Sequence, residues 1–250
     1  MKTETTAEKI SRLLTEQFAI DYGCSVSDFC SKETLVTEMR PDGQARKHEE
    51  PGILSMLSYG GKLVIAAAPE LMDWSRSVLA KHCSAEWCFE AGTLISVDRK
   101  LQEFGYEIDQ VHVFFTPGPT VPAPRYPVRL LHGVEIAALE ADERIDEAFL
   151  FEEYVEDVLG AAIYDDGGAL LAVAGATANS ERMWEMGVNS FAEGKGYAVS
   201  ALSALTQEIL NRGKVPYAGT ALSHLASHNV SLRAGLLPTF CELMTKKAED

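Results

Sequence analysis

Apolar residues in the first half of this 250-residue chain recur at helical and strand-like spacings. Between Ala7 and Ala19 they fall every three or four positions, which predicts an amphipathic helix. Short apolar runs at Leu63–Ala66 and Val111–Phe115 predict buried strands, and Leu71–Ala80 has a helical pattern. We therefore expect a small α/β layer domain in this half, and no catalytic spacing stands out in it.

The second half of the chain has a clearer order of elements. The acidic stretch Ile145–Val158 is helix-like, and Gly160–Tyr164 and Ala169–Thr177 predict two strands. The intervening Asp165–Gly168 places Asp-Gly between apolar runs, which is a strong signal for a hairpin. Trp184–Val188 then predicts the third strand of an antiparallel meander.

The remaining elements alternate between helix and strand. A long amphipathic helix is predicted over Gly196–Leu210, and Val215–Ala221 predicts the next strand. His224–Ala234 predicts a second helix, which Gly235 closes, and Leu236–Met244 predicts a final strand.

A proline-rich segment separates the two halves. Five of the chain's ten prolines lie between positions 117 and 127: Pro117, Pro119, Pro122, Pro124 and Pro127. Proline fixes φ and lacks a backbone donor, so the segment is expected to be a stiff, extended connector. We predict an N-terminal domain over residues 1–116, a connector over 117–128 and a C-terminal domain over 129–250.

Composition narrows the class of protein. The chain is 46% hydrophobic with a net charge of −15, which argues against a nucleic-acid binder. The acidity permits a cationic small-molecule substrate, although solubility alone is the simpler explanation for it. No apolar run is long enough to span a membrane, and Met1–Ile10 lacks the apolar core of a signal peptide, so we expect a cytoplasmic protein. The five cysteines contain no CxxC pair, and no metal site is expected.

The most informative segment runs from Trp184 to Ala198. A short apolar strand enters a loop that ends in Gly194-Lys195-Gly196, and a long helix begins there. Backbone N–H groups at a helix N-terminus favour an anion such as a phosphate. The dinucleotide fingerprint would need a third glycine where Val199 stands, and the Walker pattern needs Ser or Thr after the lysine, so both fail.

The loop, in this order of elements, resembles that of the GCN5-related N-acetyltransferases (GNAT). The family pattern Gln/Arg-x-x-Gly-x-Gly/Ala falls on Phe191-Ala-Glu-Gly194-Lys-Gly196, where Phe191 departs from it and Glu193 stands where Arg is frequent. A second match is His224-Leu-Ala-Ser227, with His in place of the usual Asn, followed by Ala234-Gly-Leu-Leu-Pro238. The resemblance covers roughly residues 129–244.

This resemblance implies an α/β (α+β) fold, in which a mixed, mostly antiparallel sheet is flanked by helices and preceded by the smaller N-terminal domain. It also implies acetyl-CoA as co-substrate without a metal. The residues that it places at the coenzyme are Met186, Gly187, Val188, Ser190, Gly194, Lys195, Gly196, Tyr197, Ala198, His224 and Ser227.

The family's chemistry requires an amine that has lost a proton, and a general base often comes from the strand before the glycine loop. Glu185 is the first candidate and Glu181 the second, while an exposed strand glutamate is an equal alternative for Glu185. The family's general-acid position falls on Ser231; a water, Tyr217 or His228 could substitute, or no acid is needed.

Gly187 has two interpretations of similar weight. It marks a bulge that separates its strand from the next and opens a slot for the pantetheine arm, or it is an ordinary strand glycine.

The predicted function is acetyl transfer from acetyl-CoA to a primary amine, with a small-molecule acceptor favoured. The alternative is a catalytically inactive acyl-CoA-binding protein with a regulatory or partner-binding role, since four motif positions depart from the family. We expect no nucleic-acid or membrane partner, and a homodimer is left open.

Overall fold

The computed structural model describes residues 4–40, 42–50 and 52–249. They form two compact units, each built from several chain segments. The first unit comprises residues up to 14, 115–220 and 224–238, and the second comprises 15–114, 221–223 and 239 onward.

Ten strands and seven α-helices are present in the described residues. The helices are α1 (Thr6–Asp21), α2 (Met72–Trp74), α3 (Ala80–His82), α4 (Ala91–Gln102), α5 (Val134–Ala137), α6 (Tyr197–Asn211) and α7 (Leu225–Arg233). The strands are β1 (Leu35–Glu38), β2 (Leu54–Tyr59), β3 (Lys62–Ala67), β4 (Tyr106–Pro117), β5 (Arg129–Leu131), β6 (Asp157–Tyr164), β7 (Leu170–Thr177), β8 (Met183–Ser190), β9 (Val215–Ala221) and β10 (Leu236–Lys247).

In the first unit the strand order is β9-β8-β7-β6-β5. The strands from β5 to β8 pair antiparallel, and β8 pairs parallel with β9. Helix α6 covers one face with a buried stripe that includes Ala201, Leu205 and Ile209. The opposite face is covered by a cluster that contains Ile145 and Phe149. This mixed, mostly antiparallel sheet with flanking helices confirms the predicted fold class.

In the second unit the strand order is β1-β3-β2-β10-β4. Strand β10 pairs antiparallel with β2, from Phe240 opposite Tyr59 to Leu243 opposite Met56. The compact units therefore differ from the domains predicted from the sequence, because residues after 238 belong with the N-terminal half. Strand pairing that joins residues about 180 positions apart has no local sequence signal.

The predicted helix over Ile145–Val158 is wrong. This segment is irregular until β6 begins at Asp157. Side chains replace the hydrogen bonds of a helix: Asn189 Oδ1 accepts from the backbone N–H groups of Glu147 and Ala148 at 3.1 and 2.8 Å, and the Asp157 carboxylate accepts from Phe151 N–H at 2.8 Å. Satisfied backbone donors allow the chain to stay non-helical while it is buried.

A buried charge cluster in the second unit is centred on Arg46. Its guanidinium donates to Asp21 Oδ2 at 2.5 Å and to both carboxylate oxygens of Glu242, and all three side chains are at most 8% exposed. Tyr22 Oη donates to Glu242 Oε1 at 2.8 Å. The Phe18 ring lies 5.3 Å from the guanidinium carbon. The cluster ties α1 to β10 within this unit.

Candidate functional site

The candidate site begins where β8 and β9 separate. Their pairing runs from Met183 opposite Val215 to Glu185 opposite Tyr217. Both strands are fully described, and β8 continues to Ser190 without a further pair to β9. Beyond Glu185 the backbone of β8 is therefore not paired with β9.

The glycine loop follows directly at the end of β8. Gly194 and Gly196 have φ of +72° and +85°, a left-handed backbone that non-glycine residues rarely adopt. Apart from their chain neighbours, no residue in the described part of the chain has an atom within 4 Å of a Cβ placed on either glycine, so the space in front of the loop is open. Gly196 is the N-cap of α6, which leaves the first N–H groups of that helix available to an anion.

Part of the proline-rich segment lies on the start of α6. The Tyr126 hydroxyl donates to the Lys195 carbonyl at 2.9 Å, and its ring lies 4.5 Å from the Tyr197 ring. The backbone N–H of Arg125 donates to Ser200 Oγ at 3.1 Å. These contacts fix the proline-rich segment against the glycine loop and the first turn of α6. The sequence contains no motif that predicts them.

The Glu185 carboxylate lies on the face of β8 opposite to α6 and is half-buried. Its Oε2 accepts a hydrogen bond from Asn179 Nδ2 at 3.1 Å and another from the Tyr217 hydroxyl at 3.1 Å. Tyr217 is the residue at which the pairing with β9 ends, so the carboxylate stands at the inner end of the slot. A carboxylate held at this position can accept a proton from an amine.

Gly187 does not form a bulge against β7. The register with β7 is continuous, and Gly187 stands opposite Gly175. A Cβ on Gly187 would lie 1.6 Å from the Glu147 carbonyl oxygen, and one on Gly175 would lie 1.9 Å from that of Ala148. The two glycines let the irregular segment 146–149 cross the sheet in direct contact with it.

A Gly187→Ala substitution should therefore destabilise the protein by about 3 kcal/mol, because the added methyl group overlaps backbone that cannot rotate away. Urea denaturation measures the change. Gly92→Ala is the matched control: it lies in α4 with open space around its Cβ, and it should be neutral or slightly stabilising. A Gly187→Ala protein as stable as the control would contradict the close contact.

Phe191, which departs from the family pattern, packs against the cluster on the face opposite to α6. The Arg144 guanidinium lies 4.6 Å from the centre of its ring and pairs with Asp142. The hydrogen bonds from Arg144 to Asp142 hold the pKa of that carboxyl below its usual range. Glu193 is exposed, so its charge is screened by solvent.

The other predicted coenzyme residues lie either at the edge of the sheet where β8 and β9 end or between the sheet and α6. Met186 is buried, where its Sδ accepts from Thr206 Oγ1 of α6 at 3.7 Å, while Ser190 is exposed at the loop. His224 is the N-cap of α7, and its ring lies 3.2 Å from Ser227 Oγ. Since β8 and β9 are parallel, their carboxyl ends bring the loop and the start of α7 to one edge.

Ser231 lies on α7 and is 4% exposed. Its assignment as a general acid, like the assignment of the other site residues, stays a prediction.

The structure also adds residues that the sequence analysis missed. Asn179 lies in the turn between β7 and β8, where asparagine is common, so nothing in the sequence assigned it to the site. Asn189 gave a weak signal as a polar residue inside a mostly apolar strand, and it anchors the irregular segment 146–148.

Among the described residues, no group of three or more His, Cys, Asp or Glu side chains is arranged to hold a metal ion. None of the described helices combines the length and the apolar character needed to cross a bilayer.

Comparison with known proteins finds similarity in structure only. The sequence matches no protein-family model and no curated protein. A GCN5-related N-acetyltransferase from Kribbella flavida is 19% identical, with a TM-score of 0.45, over 60% of this chain and 63% of that one.

Two solved structures are similar over almost the whole chain. A GCN5-related N-acetyltransferase-like protein from Streptococcus suis is 14% identical over 96% of this chain and 100% of its own, with a TM-score of 0.47. A GCN5-related N-acetyltransferase from Sphaerobacter thermophilus is 14% identical over 98% and 95%, with a TM-score of 0.45. These structures carry the name of the family that the loop resembles, and at such identities the similarity concerns the fold alone.

Proposed function

We propose that this protein is an N-acetyltransferase that transfers an acetyl group from acetyl-CoA to a primary amine of a small molecule. The observation that carries the proposal is the position at which β8 and β9 part. Their pairing ends at Glu185 and Tyr217, and five residues further on β8 leads into the glycine loop at the start of α6. A half-buried carboxylate, an open strand edge and an anion-binding helix start therefore follow one another along a single strand.

The open edge of β8 suits the pantetheine arm. Residues 186–190 are paired with β7 on one side, and the β9 side of this stretch has no strand pair. Backbone groups that lack a ladder partner need one from another source, and a chain with amide groups can supply it as an added strand does. Pantetheine contains two amides and would extend from the loop toward Glu185.

The residues of the loop fit a diphosphate. Two left-handed glycines without neighbours in front of them allow close approach, and the N–H groups of the first turn of α6 would donate to phosphate oxygens. The Tyr126 hydroxyl fixes the Lys195 carbonyl, which supports the loop in this conformation. When bound, acetyl-CoA supplies the acetyl group as an activated thioester.

In the reaction, the cationic amine first loses one proton to water, and Glu185 then accepts a second proton as the neutral nitrogen forms its bond to the acetyl carbon and the carbon–sulfur bond breaks. A thiolate is a weakly basic leaving group compared with an alkoxide, so the sulfur can leave as the thiolate and take up a proton from water afterwards. A general acid at Ser231 is then not required. The acidic character of the chain, with a net charge of −15, favours the approach of a cationic amine.

Calorimetry with acetyl-CoA tests the coenzyme site, with Gly196→Asp and Gly196→Asn as a matched pair. Beyond its chain neighbours, a Cβ at position 196 meets no described atom within 4 Å, and Asn and Asp are among the non-glycine residues that most often adopt the left-handed backbone. Asp adds a negative charge next to the expected phosphates, so it should weaken binding at least about tenfold more than Asn does.

Equal affinities for the two variants, or no binding of acetyl-CoA to the folded wild-type protein at millimolar concentration, would refute the site. A library of primary amines, followed by thiol release from acetyl-CoA, then tests catalysis. Binding without thiol release for any amine would indicate the catalytically inactive alternative.

A further inference from the structure

Asn179 is a buried polar residue whose side-chain amide is only half paired. It lies in the turn between β7 and β8 and is 5% exposed. Its side-chain oxygen Oδ1 is shielded from solvent and has no hydrogen-bond partner within the described part of the chain. A buried carbonyl without a donor costs free energy, and a leucine, which has the same branching without polar atoms, would not incur that cost.

The amide nitrogen of the same side chain has a partner in the candidate site. Nδ2 donates to Glu185 Oε2 at 3.1 Å, and the Tyr217 hydroxyl donates to the same oxygen at 3.1 Å. Two buried donors on one oxygen restrict rotation of the carboxylate, which sets the direction of the other oxygen, Oε1. They also favour the ionised form of the carboxyl group over the protonated form.

We propose that Asn179 is a positioning residue that holds Glu185 ionised and oriented for proton transfer. This inference rests on the proposed function, because it assigns Asn179 to the base of the same reaction. Asn179 acts through Glu185: the bond from Nδ2 fixes Oε2, and Oε1 takes the proton of the amine. The unpaired Oδ1 destabilises the folded state, and the amide is kept at this position because Nδ2 is needed at Glu185.

Asn179→Leu separates this role from a structural one. The variant removes a buried, unpaired carbonyl but also a donor to the Glu185 carboxylate, so it should be less stable than the wild-type protein at pH 7 and at least as stable once Glu185 is protonated. Loss of one donor should move the titration of Glu185 upward by about one pH unit, because the ionised carboxylate is less stabilised. The acid limb of kcat/KM for amine-dependent thiol release should move upward by the same amount, since the base must be deprotonated.

Tyr217→Phe is the matched control, because it removes the second donor to Oε2 with little change of shape. It should move both titrations in the same direction. The titration of Glu185 is read from the carbon-13 signal of its carboxyl group, assigned by its absence in Glu185→Gln. Stability is read from urea denaturation.

The outcomes separate the inference from the function on which it rests. An unshifted Glu185 titration in Asn179→Leu, or a loss of stability that persists at a pH where Glu185 is protonated, overturns the positioning role. If no amine releases thiol with the wild-type protein, the proposed function fails, yet the carbon-13 titration still tests whether Asn179 controls Glu185.

Discussion

Glu185→Gln is expected to lower kcat for amine-dependent thiol release by about 10² to 10⁴-fold, which is the usual contribution of a general base. Glutamine keeps the size of the side chain and can still accept from Asn179 and Tyr217, but it cannot take a proton. Binding of acetyl-CoA should be unchanged, because the coenzyme would be held by the backbone of β8 and by the loop. Assays of thiol release measure kcat, and calorimetry measures the affinity for acetyl-CoA.

Glu181→Gln is the matched control for this substitution. Glu181 was the second candidate for the base, and it lies before β8 begins at Met183. Its substitution should leave kcat within about twofold of the wild-type value. If Glu181→Gln lowers kcat by 10²-fold and Glu185→Gln does not, the base is Glu181 and the role of the Glu185 site is refuted.

Arg46→Met is expected to destabilise the protein by about 3–5 kcal/mol at pH 7. The substitution leaves the carboxylates of Asp21 and Glu242 buried without the cation that pairs with both. Removing one partner of a buried ion pair is costly in this way, although replacement of the whole set by apolar side chains is often neutral. Urea denaturation gives the change in the free energy of unfolding.

The loss should depend on pH. In the wild-type protein burial acts to raise the pKa of Glu242, but the charge of Arg46 and hydrogen bonds from Arg46 and Tyr22 outweigh it and hold the pKa below its ordinary value of 4.5. Glu242 therefore adds stability above that value, and the stability is lost as the pH falls through the folded-state pKa.

In Arg46→Met burial prevails, and the pKa of Glu242 rises above its ordinary value. The variant then recovers stability relative to the wild type as Glu242 takes up a proton, so the two unfolding free energies should converge between pH 7 and pH 4.5. The double variant Arg46→Met/Glu242→Gln should regain part of the loss at pH 7. A constant difference across this range would contradict the role of the buried carboxylate.

The elements that could be predicted are those whose signals are local. The hairpin at Asp165–Gly168, the strand Trp184–Val188 and the helix after Gly196 are confirmed with bounds close to those expected. Periodicity and turn chemistry act over a few residues, so they are visible in the sequence. The helix predicted over Ile145–Val158 is wrong for the opposite reason. Backbone N–H groups of this segment donate to the side chains of Asn189, about 40 residues away, and Asp157, and neither contact is part of a helix.

The sequence by itself therefore determined the order of the elements around the glycine loop and the glycines at the start of α6, and it supplied Glu185 as the first candidate for the base. Only the tertiary structure decided where β8 leaves β9, that Gly187 is required by the carbonyl of Glu147, and that Asn179 and Tyr217 converge on one oxygen of Glu185. It also decided that β10 completes the sheet of the N-terminal half. These contacts join residues that are separated along the chain, and their free energies depend on packing and burial, which no local pattern of residues specifies.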